Sequence, residues 1–336
     1  MKIKYRIKKI IFIIAIAFLA LIFGLIFNNR ICYLIFSGKD TTSDQLSEAD
    51  KEAVYHVYDY LKEKGENLFG GFNNISTDLI IFNEKYEFLF SGMEEERGWE
   101  RIEYNAEMGR NIFRREVENS EAFAVKVNGR WVGSFDTKAT FNKEITKVIL
   151  PIFPPQLFMM DEEYYRGTVI HEMVHAFEGN LDNDRVDAAE HIHNLCSKYY
   201  NDANYKKRIK QEAYYLKKAM DTDNHDDIIK NVKKFIEKRK ERRLICNLSD
   251  TEINNEKELE WLEGLARYAE YYAAKGSSKA IVKNLRKIEE KAAINSDERY
   301  YVLGMAQAMV LDKLSDDWKT KVLTGGYTLE ECLNAQ

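Results

Sequence analysis

Five residues, His171-Glu172-Met173-Val174-His175, have the types and spacing to do chemistry. On a helix, positions i and i+4 lie on one face, one above the other. Two imidazoles placed so can close on a single tetrahedral zinc ion. Glu172, beside the first imidazole, is then a general base for a water activated at the metal, which is the chemistry of metal-assisted hydrolysis. The chain has six histidines in 336 residues, so the pattern rarely arises by accident. An amphipathic helix with two histidines on its wet side would show the same letters. The flanks argue otherwise: Val169 and Ile170 precede the motif and Val174, Ala176 and Phe177 continue it. A half-buried helix with its polar pair at i, i+4 is what a metal site requires.

Two histidines leave such a site incomplete, because a catalytic zinc ordinarily has three protein ligands and a water. His191 and His193 are two apart and diverge on a helix. The longer pattern with a third histidine also fails, since Asp182 stands three residues after Gly179. The better candidates lie in residues 260–270. There Glu263 and Glu270, seven apart, share a helix face. Glu263, or Glu260 as its substitute, could be the third ligand; a solvated acidic face would also carry these glutamates. Glu270 is expected to orient a histidine ring through its second nitrogen. Gly264 is expected to let this helix approach the motif helix closely.

The stretch Trp261-Leu262-Glu263-Gly264-Leu265-Ala266-Arg267-Tyr268-Ala269-Glu270 resembles the second zinc-site helix of the gluzincins, in particular the aminopeptidase N-type branch with its W-L-x-E-G-x-x-x-Y-x-E pattern. One residue before the glutamate is missing here, and Glu263, Gly264, Tyr268 and Glu270 then fall in register. Tyr301 and Gly304 are similar to the Y-x-x-G helix of that branch. The resemblance implies a zinc metallopeptidase with His171, His175 and Glu263 as ligands and Glu172 as base. It also implies a Tyr301 hydroxyl that steadies the oxyanion, although a core tyrosine would read the same. The implied fold is zincin-like, a small mixed sheet followed by helices, with a strand along the cleft above the motif helix. The chain also departs from that branch in a long helical insertion that separates His175 from Glu263.

The N-terminus reads separately. Lys2, Lys4, Arg6, Lys8 and Lys9 make a basic head, and residues 10–27 are uncharged and apolar. That length just spans a bilayer as a helix. The positive-inside rule keeps the head cytoplasmic and puts the rest outside. A cleaved signal peptide is the rival reading, but no small-x-small site follows. The expected organisation is a basic tail (1–9), a transmembrane anchor (10–30), an N-terminal helix with a mixed sheet (38–160) and a helical subdomain (161–336), the last two forming one catalytic unit.

Charge is nearly balanced, 50 basic against 55 acidic residues, which excludes nucleic acid as the main partner. Four cysteines are too few for a disulfide framework; Cys196 and Cys246 could pair or stay as buried thiols. Helical spacing of apolar residues predicts a helix over 49–64. Short strands are expected at 79–82, 87–90, 122–127, 130–135 and 147–153, with Asn128-Gly129 as the hairpin turn. Helices follow at about 184–200, 205–220, 226–243, 255–275, 278–293 and 297–314. The basic run 233–243 is expected to be a solvated helix face.

The fold class is therefore α+β and helix-rich, with an N-terminal transmembrane helix. The expected function is a membrane-anchored, extracytoplasmic zinc metallopeptidase acting on a peptide or protein substrate. A non-catalytic envelope binding or scaffold protein on the same fold is the alternative.

Overall fold

The computed structural model describes residues 2–37, 39–73, 78–118, 121–149, 153–192, 201–283 and 285–336. The chain is helix-rich with one mixed sheet. Helix α1 (Lys2–Ser37) contains one stretch, Lys9–Phe36, long and apolar enough to cross a membrane. A signal sequence would pass the same test. The helix continues seven residues beyond the expected end at Arg30. Its C-terminal part is held against the domain: Asn28 and Gln156 exchange side-chain hydrogen bonds of 3.0 and 3.1 Å.

Helix α2 (Glu48–Leu68) starts at Ser47, whose hydroxyl accepts from the Asp50 N–H, and it buries Val54, Val57, Tyr58 and Leu61. The sheet comprises β1 (Leu79–Phe82), β2 (Tyr86–Ser91), β3 (Glu100–Asn105), β4 (Arg110–Glu116), β5 (Phe123–Val127) and β6 (Arg130–Asp136), in the order β3-β4-β2-β1-β6-β5. The β1–β6 pair is parallel and the other pairs are antiparallel. Asn128 and Gly129 both have positive φ, 48° and 85°, as a two-residue hairpin turn of the β5–β6 twist demands. Side chains alternate as the pleat requires. Leu79, Ile81, Phe88 and Phe90 enter the main core beneath the helices, while Ile80, Leu89, Phe113 and Val132 form a smaller cluster on the other face.

Of residues 147–153, expected as a strand, the described ones are not in one: Lys147 and Val148 end a helix, and Ile149 caps it. Thr137 ends β6 and caps helix α3 (Lys138–Val148), its hydroxyl accepting from the Thr140 N–H. The cap and the packing of α3 against α1 override the strand-like letters Val148-Ile149; residues 150–152 lie outside the described part. After a 3-10 turn (Pro155–Leu157) comes α4 (Glu162–Leu181), capped by Asp161 as its acidic start suggests. Helix α4 lies on β6. A Cβ at Gly133 would stand 3.0 Å from Met173 Cα, so only glycine lets strand and motif helix meet this closely.

Then follow α5 (Asn183–Glu190), α6 (Ala203–Asp221), α7 (His225–Ile245) and α8 (Asp250–Ala274), the last begun by a Ser249–Glu252 capping box. The single helix expected over 278–293 is instead two four-residue turns, α9 (Ala280–Lys283) and α10 (Ile288–Lys291). Helices α11 (Glu298–Leu311), α12 (Trp318–Thr324) and α13 (Leu329–Asn334) complete the chain.

The basic run is a solvated face only in part: Lys233, Lys234 and Lys240 are exposed. Arg239, Arg242 and Arg243 of α7 are buried. They are paired with Glu212 of α6, Glu256 and Glu260 of α8 and Glu330 of α13, for example Arg242 to Glu256 at 2.6 Å and Arg243 to Glu330 at 2.7 Å. Buried charge persists only when paired in this way, and the network ties the insertion α6–α7 to the helix carrying the candidate third ligand.

Candidate metal centre

Helices α4, α8 and α11 meet around His171 and His175. On α4 the two rings stand 4.9 Å apart at 80° to each other. Glu263 reaches across from α8, with its Oε2 3.5 Å from the Nε2 of His171 and 3.5 Å from the Nε2 of His175. Four-coordinate zinc with bonds of 2.0–2.1 Å would set its ligand atoms about 3.3–3.4 Å apart. The three atoms are thus arranged around a point that a small cation fits. All four side chains, Glu172 included, are buried, and the His171–Glu172–His175 group can hold a metal ion.

Each imidazole is fixed from behind. Glu270 Oε2 lies 3.1 Å from His171 Nδ1, the orienting contact expected of it. Glu178 Oε2 lies 3.4 Å from His175 Nδ1. Glu178 was not among the expected residues, yet it was legible: it follows His175 by three positions on the same helix and shares its face. Phe123, on the edge strand β5, stacks on the His175 ring at 4.6 Å and closes that side. Strand β5 is therefore the sheet edge that borders the centre, while β6 packs directly against the motif helix.

Glu260 is excluded as a ligand. Its carboxylate is held by Arg239 at 2.6 Å and by the Gln307 amide at 2.7 Å. It faces the buried arginine network, one turn away from Glu263. His191 is exposed, and His193 lies outside the described residues. So does Cys196; Cys246 carries a free thiol.

Gly264 serves a different contact from the one expected. It faces Gly304 of α11, not the motif helix, and a Cβ on either glycine would collide with the other helix's backbone. The close approach of α4 and α8 comes instead from Gly167, where a Cβ would be 3.0 Å from the Glu270 carbonyl oxygen. The Gly264–Gly304 crossing brings Tyr301, one turn before Gly304, to the residue next to Gly264. The Tyr301 hydroxyl hydrogen-bonds Glu263, and its ring lies nearly parallel to His171 at 5.9 Å. Arg267 sits over the Tyr301 ring at 5.2 Å and 3.4 Å from Glu270.

No protein-family model, curated protein or solved structure matches this chain.

The electrostatics follow from burial and crowding. Burial pushes the Glu172 carboxyl up, aided by Glu263 and Glu270 and opposed by the two histidines. Burial pushes Glu178 up to about 7. Burial alone would lower both imidazoles, but Glu263 and Glu270 outweigh it at His171, and Glu263 and Glu178 do so at His175. A cluster of carboxylates that draws cations onto two imidazoles will draw a divalent ion in their place. The group opens on a cleft of about 440 Å³ whose walls include Tyr164, Thr168, Glu172, Arg267 and Tyr301. Glu172 and Tyr301 thus border both the cation position and a space where a substrate can lie.

Proposed function

We propose that this chain is a membrane-anchored, extracytoplasmic zinc metallopeptidase. The observation that carries the reading is the convergence of two imidazoles and a carboxylate across two helices, with Glu263 Oε2 3.5 Å from the Nε2 of His171 and 3.5 Å from the Nε2 of His175, and Glu172 in the cleft wall. Two imidazoles and one carboxylate are the donor set zinc takes in hydrolases with an open fourth position. Zinc, when bound, supplies Lewis acidity to a carbonyl and lowers the pKa of water near it.

The chain's own residues do the rest. Glu172 takes a proton from the attacking water, and its raised pKa brings it toward the operating range of a base that must also act as an acid. The oxygen adds to the peptide carbonyl, and the carbonyl oxygen becomes negative. Tyr301 donates a hydrogen bond to that oxygen. Glu172 then delivers its proton to the nitrogen as the carbon–nitrogen bond breaks, so no proton is gained or lost overall. Glu270 and Glu178 hold the two rings, leaving both Nε2 atoms directed at the same point. The apolar Lys9–Phe36 stretch supports a membrane anchor, the lack of a small-x-small site after it supports an uncleaved one, and the basic residues before it support a cytoplasmic N-terminus.

The test is metal content together with cleavage of a peptide library by the full-length protein in detergent. Glu172→Gln is expected to retain one zinc per chain and lose hydrolysis by about 10²–10⁴-fold. A Glu172→Gln protein as active as the parent would remove the mechanism. A parent protein that binds no zinc and cleaves nothing would leave the scaffold reading.

A further inference from the structure

We infer that the surface around Gln156 is a second membrane contact, a patch of the folded domain that rests in the outer lipid interface beside the anchor. This rests on reading α1 as a membrane span. Between Lys9 and Arg30 the helix has 20 uncharged residues, about 30 Å of helix, which matches the hydrocarbon thickness of a bilayer. Arg30 therefore stands at the outer boundary, and residues just before it are still within the apolar layer.

The domain is joined to α1 at that level. Gln156 bonds Asn28 and also donates to Cys32 Sγ at 2.7 Å, one contact on each side of Arg30. The end of α3 comes beside this level: Thr146, Lys147 and Ile149 share a cavity of about 440 Å³ with Ile26, Asn29, Arg30 and Tyr33 of α1, the two cations suiting the headgroup layer rather than the hydrocarbon. Backbone tied to Asn28 and packed beside Ile26 cannot lie far out in water if those residues are in lipid. Several exposed side chains near this level are apolar. Val148 is 73% exposed, Phe153 47% and Leu157 48%, and Leu34, next to Tyr33 on α1, is exposed too. Cations border the patch, with Arg30 over the Tyr33 ring and Lys279 donating to the Gln156 carbonyl at 2.8 Å. Exposed aliphatic and aromatic side chains with a tyrosine and cations at their rim are the composition of a membrane interface. A second anchoring point of this kind limits rotation of the domain about α1 and holds it close to the bilayer.

The test uses the full-length chain in phosphatidylcholine vesicles, with Phe153→Trp or Leu157→Trp as reporters. Emission added over the parent is expected to shift to the blue. It should be lost in vesicles whose acyl chains carry bromine near the headgroup end, and retained when bromine is near the terminal methyl. Phe18→Trp, inside the span, should be quenched most by the deep bromine. If Phe18→Trp is quenched but both interface reporters are insensitive to bromine, the anchor stands and the docking surface is wrong. A reporter that is blue-shifted but unquenched means that protein covers the patch, which also overturns the inference. An unquenched Phe18→Trp removes the anchor and the docking surface together.

Discussion

Gly304→Ala separates helix propensity from tertiary packing at this centre. In isolation the change favours α11, because alanine is better than glycine in a helix by about 1 kcal/mol. In the folded chain the new Cβ would lie 2.6 Å from Gly264 Cα and 2.9 Å from the Glu260 carbonyl carbon. Carbon atoms rest at about 3.5–4.0 Å, so α11 must retreat by about 1 Å. Both obstructing atoms are backbone and cannot swing aside. Overpacking of this kind costs about 1–3 kcal/mol, and after the propensity gain of about 1 kcal/mol a net loss of up to about 2 kcal/mol remains. That is a fall in Tm of up to roughly 6 °C for a domain of this size. The same retreat draws the Tyr301 hydroxyl away from Glu263, so metal affinity and turnover should fall more than stability does. The assays are thermal unfolding by circular dichroism and zinc competition against a chelator. A Gly304→Ala protein that melts at or above the parent temperature, with unchanged zinc affinity, would refute the helix-crossing argument.

Two further outcomes follow from the ring supports and the arginine network. Glu270→Gln and Glu178→Gln should each weaken zinc by about 10–100-fold while leaving the fold intact, as expected for groups that orient ligands; zinc titration with unchanged affinity in both would show that neither carboxylate orients its histidine. Burial would raise the Glu330 carboxyl, but Arg239 and Arg243 outweigh it and hold it down at about 2, against an ordinary 4.5. The folded pKa is the lower one, so the unfolded chain binds more protons in that window. The group therefore contributes about 3 kcal/mol above pH 4.5, lost as pH falls toward 2. Denaturant unfolding at stepped pH should show this acid loss in the parent and a shallower one in Glu330→Gln; equal slopes would contradict the pairing.

The local features were legible because their causes are local. The i, i+4 spacing of His171 and His175 puts both on one face of any helix, and the apolar residues around them predict its burial. Asp161 as a cap, Asn128-Gly129 as a turn and the uncharged run after Lys9 each act within a few residues of themselves. The i+7 spacing of Glu263 and Glu270 likewise set their common face before any partner was known. Where that face pointed was another matter. Glu260 and Glu263 are near neighbours on α8, and only the position of Arg239 decides that the first is consumed by an ion pair and the second is left for the histidines. Gly264 was expected against the motif helix and meets Gly304. The arginines of α7 looked like a wet face, because in sequence nothing shows that four glutamates from three other helices surround them. Residues 147–153 have the letters of a strand, yet the Thr137 cap and the packing on α1 make Lys147 and Val148 the end of a helix and Ile149 its cap. Spacing along the chain determines which side chains share a surface. Which surfaces meet depends on the packing of elements distant in sequence, and that packing decided the third member of the centre.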